Sequence, residues 1–193
     1  MPVYQDAEFI RPVKRWVDTV VIGLNFCPFA RLEQNQTRYS VCYDRKIKTA
    51  LVTLKTELEY LQAHPGIVTS LLIMAAGFDD FNRYLELVER ANDFLDQQGY
   101  RGDFQLASFH PLYQFDGEAA DDPSNYTNRA PFPVLHLLRE SEIESALATY
   151  RQPEKIPQRN ITKARELGSQ SLQQKLNDCL EYQDQDYTNP LKP

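Results

Sequence analysis

The stretch TSLLIMAA, residues 69–76, carries six consecutive apolar residues from Leu71 to Ala76. Such a run reads as a strand buried on both faces. On its amino side Ile47, Leu51, Leu54, Leu58 and Leu61 repeat with helical spacing until His64, Pro65 and Gly66 stop them. On its carboxyl side a second helical pattern starts near Asp79, continues through Phe81, Leu85, Val88 and Leu95, and ends at Gly99. A strand that is apolar throughout needs cover above and below, which helices on both sides of it supply.

The rest of the chain repeats this alternation. Phe9, Ile10, Val13, Trp16, Val17, Val20, Val21 and Leu24 form one helical stripe, with Pro12 placed near its beginning. RYSVCY (38–43) and FQLASF (104–109) read as strands, and PVLHLL (133–138) as a fourth. SEIESALATY (141–150) reads as a short helix capped by Ser141 with Glu144 three residues on. A last helical region begins near Pro157, breaks at Gly168 and resumes after Ser169 with Leu172, Leu176 and Leu180 inward. The expected fold is α/β: a small mixed sheet of about four strands covered by helices, with an N-terminal helix and C-terminal helices. Residues 1–182 are expected to form one globular domain and 183–193 a polar tail.

A formal charge of −6 argues against a nucleic-acid partner, because phosphate-backbone binding needs a basic face. No run approaches a membrane span, so no membrane partner is expected. Asp6, Glu8, Arg11 and Lys14 interrupt any secretory leader. Three scattered cysteines fit neither a disulfide framework nor a structural zinc motif. These features point to a cytoplasmic protein with reduced thiols. No cofactor is expected, and a metal site built from His110, His136 and Cys27 lacks any established ligand spacing.

Sheets of this kind hold ligands beyond the carboxyl ends of their strands. His110 follows the third strand directly, and Pro111 marks that strand's end. It is therefore a candidate acid or base, set against a rim histidine bonded to a loop carbonyl. The polar loop 111–131 is long enough to be functional. If the fourth strand runs antiparallel to the third, Asn128 and Arg129 return to the rim beside His110. Arg129 is a candidate anion clamp and Gln114 a further contact, against an Asx-rich loop that bonds to itself. His136 interrupts an apolar run; as part of a strand it shares a face with Val134 and Leu138 while Arg139 points away. Cys27 lies just beyond the first helix, and Pro28 can open the next one with Cys27 as its cap. That position lowers a thiol's pKa, whereas the preceding helix end raises it. Simple packing remains the competing reading. CPFA lacks the second cysteine of a thioredoxin-like motif and follows a helix rather than a strand, although the prolines of APFPVLHL favour that alternative.

VIGLNFCPFA, DDFNRYL, ASFHPLYQF, YTNRAPFPVLHLLRE and RNITKARELG, in this order, resemble an uncharacterised, mostly bacterial family defined only as a domain of unknown function. The resemblance covers nearly the whole chain except the tail. It implies a free-standing cytosolic domain and supplies no activity. Its motifs include Asn25, Cys27, His110, Gln114, Asn128, Arg129, His136 and Arg139. Phe26, Ala130 and Phe132 depart mildly from its usual pattern. The resulting expectation is an enzyme acting on a small anionic metabolite. In it Cys27, His110 and His136 are catalytic, and Asn25, Gln114, Asn128, Arg129 and Arg139 hold the substrate. The alternatives are a non-catalytic small-ligand or partner-binding module and a single-cysteine thioredoxin-like redox protein.

Overall fold

A computed structural model describes residues 4–181, so the tail assigned to 183–193 lies outside the described residues. Helix α1 (Tyr4–Trp16) buries Val13 and Trp16. Pro12 falls in its interior rather than near its beginning, because the helix starts well before the first apolar residue. Burial of the stripe outweighs the backbone hydrogen bond that proline removes. The helix then widens into a π-helical turn (Val17–Ile22). Five of those six residues are β-branched and crowd an ordinary turn, and the Thr19 hydroxyl donates back to the Arg15 carbonyl at 2.7 Å. Gly23 follows because a Cβ there would strike the Thr19 carbonyl. Asn25 takes a left-handed conformation (φ 57°), one that asparagine tolerates better than most residues. The chain thus reverses with Leu24 and Phe26 both buried.

A short helix α2 (Ala30–Glu33) leads to β1 (Thr37–Cys42), α3 (Ile47–Ala63) and β2 (Thr69–Met74). Then come α4 (Phe81–Gln97), β3 (Phe104–Phe109), β4 (Val134–Arg139) and α5 (Glu140–Thr149). Helices α6 (Ile156–Leu167) and α7 (Ser169–Glu181) end the described chain. Strand order is β1-β2-β4-β3, with β1 and β2 parallel and β4 antiparallel to both of its neighbours. All six residues of β2 are buried, as an apolar central strand requires. Strand β4 runs straight into α5, so Ser141 lies inside the first helical turn and does not cap it.

The crossovers β1-α3-β2 and β2-α4-β3 run in the same direction across the sheet, which puts α3 and α4 on one face. There Leu54, Leu58, Tyr84 and Leu87 pack on Leu72, Met74, Leu135 and Leu137. On the opposite face α1, the π-helical turn, α6 and α7 pack on Leu71, Ile73 and Val134. Among the described residues no helix is long and apolar enough to cross a membrane.

Candidate functional site

Cys27 lies in the bend between the π-helical turn and α2. The Phe26 and Cys27 N–H groups both reach the Val21 carbonyl, at 2.8 and 3.5 Å. Phe29, not Cys27, precedes the first turn of α2, so the expected cap position does not form. A π-helical turn rather than a strand leads into the cysteine.

Two cavities meet there. The inner one, about 220 Å³, lies on the sheet face under the π-helical turn and α5. Trp16, Val17, Leu71, Leu138 and Ile143 give it mostly apolar walls, and Thr37, Thr69, Cys27 and His136 are its polar members. The outer one, about 520 Å³, opens between β3, the long loop and α6, beside Asp116, Glu118 and Asn128. Val21, Cys27, Ala107 and Phe109 belong to both walls. These hollows lie on a face of the sheet, not beyond its strand ends. The reason is cover: α2 is a single turn and α5 is short, so this face is roofed incompletely.

His136 sits opposite Leu71 on β2 and Ala107 on β3, on the face shared with Val134 and Leu138. Its Nε2 is 2.6 Å from the Thr69 hydroxyl, which donates to the Leu137 carbonyl at 2.7 Å. Burial pushes the imidazole down to about 4, so it is neutral at physiological pH.

His110 is placed elsewhere. It is fully buried, its Nε2 is 2.9 Å from the Phe78 carbonyl, and its Nδ1 accepts from the Leu112 N–H at 3.0 Å. The rings of Phe81 and Tyr84 flank it. Burial lowers its pKa, with the carbonyl contact opposing. It lines neither cavity that Cys27 lines. The expected return of the loop does occur: the His110 N–H donates to the Asn128 carbonyl at 3.2 Å.

The two arginines are likewise engaged with backbone. Arg129 donates to the carbonyls of Tyr113 (3.1 Å) and Ala120 (2.7 Å) and stacks over Tyr126. Arg139, on the face opposite His136, donates to the carbonyls of Ile67, His64 and Leu61, closing the carboxyl end of α3. Gln114 donates to the Glu118 carbonyl at 2.8 Å. Asn25 is exposed, and its carbonyl receives Arg159. Asn128 holds the Ser108 carbonyl at 3.1 Å while lining the outer cavity. Of the eight candidates, then, Cys27 and His136 share the inner wall and Asn128 joins Cys27 on the outer one; the other five line neither cavity. Among the described residues no three His, Cys, Asp or Glu side chains gather closely enough to hold a metal ion.

Thr69 and Trp16 are the wall members that sequence reasoning did not single out for a site. Trp16 is 2% exposed and its indole N–H has no partner among the described residues. Its helical spacing marks it as core, which it also is; Thr69 gains meaning only through the β2–β4 register, which no local pattern encodes. Comparison with curated proteins and with solved structures finds no match. A family model does match residues 8–174: the chain belongs to DUF1415, a family of proteins of unknown function.

Proposed function

We propose that this protein binds a small, mostly apolar molecule in the inner cavity. The observation that carries this reading is a hollow with apolar walls that the neutral imidazole of His136 and, on the same wall, Cys27 help to line. Its volume exceeds the ~150 Å³ of a dry apolar cavity able to hold benzene. The arrangement favours binding over thiol–imidazole catalysis. An imidazole held down to about 4 is a weak base for a thiol proton. Nor does it favour an anion, since Arg129 and Arg139 already serve carbonyls.

The chain has one tryptophan, Trp16, and it lines this cavity. Titration with toluene should therefore shift or quench Trp16 emission saturably. Ala146→Phe, which fills the roof of the cavity, should abolish the response while thermal unfolding stays cooperative. A wild-type protein that gives no saturable response, or an Ala146→Phe protein that responds equally, would overturn the reading.

A further inference from the structure

We propose that Thr69 is a positioning residue that locks His136 as a hydrogen-bond acceptor, and that the inner cavity therefore selects neutral ligands with an O–H or N–H donor on an apolar body. This inference rests on the cavity-binding reading and names the ligand class for it.

Thr69, 3% exposed, has its hydroxyl 2.7 Å from the Leu137 carbonyl and 2.6 Å from His136 Nε2. A carbonyl only accepts, so the hydroxyl proton goes to Leu137. The hydroxyl then meets Nε2 with a lone pair, and Nε2 must carry the imidazole's N–H. A neutral ring has a single N–H, so Nδ1 is a bare acceptor, with no protein donor to it among the described residues. His136 is half-buried and Nδ1 is not sealed among packed atoms, so a ligand donor can bond to it there. A carboxylate fits poorly, because it sets its own lone pairs against Nδ1 and no guanidinium among the wall residues offsets its charge. Hydrocarbons fit the walls but leave Nδ1 unmet.

Phenol, toluene and benzoate share an outline and differ in this one respect, so their affinities, read by NMR titration, decide the matter. Wild-type protein should bind phenol roughly three- to tenfold tighter than toluene, as one net hydrogen bond allows, and benzoate most weakly. Nitrogen-15 spectra of the imidazole should show the Nε2–H tautomer alone. In Thr69→Val the tautomer should no longer be single and the phenol advantage should fall below twofold, with toluene affinity retained. Thr69→Ser should restore both. An Nδ1–H spectrum in the wild-type protein, or benzoate binding tightest, would overturn the proposal. Toluene binding without a phenol advantage defeats the donor selection and leaves the cavity reading standing; failure of all three ligands defeats both.

Discussion

The two faces of the sheet each carry a histidine, and they treat it differently: His110 is fully buried and His136 half-buried. On the α3/α4 side His110 sits among Phe78, Phe81 and Tyr84 with both ring nitrogens bonded to backbone. Two further polar groups of that face are equally engaged, while the buried Ser40 hydroxyl there has no partner among the described residues. The Tyr84 hydroxyl donates to the Val134 carbonyl and accepts from the Phe109 N–H, and Glu57 receives Arg38 through two bonds and Ser70 through a third. On the other side His136 has one nitrogen held by Thr69 and the other without a donor among the described residues, in the wall of the inner cavity. Two long helices close the first face, whereas a π-helical turn, a four-residue helix and a short helix leave space over the second. Both ring nitrogens of His110 are bonded to backbone, whereas His136 has one nitrogen without a bond, the one that the proposed reading gives to a ligand.

The largest test of that contrast is His110→Ala. It removes a packed ring and leaves the Phe78 carbonyl and the Leu112 N–H unmet, so urea unfolding should show a loss of roughly 4 kcal/mol. The molecules that remain folded should bind toluene as the wild type does, because His110 is absent from the cavity wall. A stable His110→Ala protein that has lost ligand binding would reverse the assignment of the two faces.

Acid should separate the histidines from ordinary surface groups. The His136 imidazole is held near 4 when folded and returns to about 6.5 when unfolded. Between these values the unfolded chain takes up a proton that the folded chain refuses, so stability falls as pH drops through this window and is flat above it. The loss from His136 amounts to about 3 kcal/mol by pH 4, and His110, also lowered by burial, adds in the same direction. His136→Leu should unfold at a visibly shallower slope between pH 6.5 and 4. Equal slopes would mean that His136 titrates normally and that the inner cavity admits water freely.

Much of the fold was legible in the sequence because it follows from local periodicity. The apolar run at 69–76 is the fully buried β2, and the stripes around it are α3 and α4. The direction of β4 was open in the sequence; it is antiparallel to β3, and so Asn128 returns to His110. The site was less legible, for a physical reason. Polar residues in a loop announce only that they will be bonded, not to what. Arg129, Gln114 and Asn125 bond the loop to itself, and Arg139 closes a helix end brought close by the fold. Which histidine faces an opening depends on how completely each sheet face is roofed. That follows from helix lengths and from the widened turn at Val17–Ile22, whose hydrogen bonding the helical stripe does not reveal.

The smallest expected effect concerns Cys27, which belongs to both cavity walls while Cys42 and Cys179 are each 1% exposed. Burial also pushes the Cys42 and Cys179 thiols up, so neither supplies much thiolate near neutral pH. Iodoacetamide at pH 8 should therefore modify Cys27 well before the other two, as peptide mass spectrometry would show. Saturating toluene should slow that reaction by only about two- to fivefold, since filling the inner cavity leaves the outer approach to the same side chain open. Complete protection would mean that the sulfur is reached through the inner cavity alone and that the outer wall is formed by the cysteine backbone. Absence of any protection would mean that the reagent arrives entirely from the side of Asp116 and Asn128, and that the thiol belongs with the outer cavity rather than with His136.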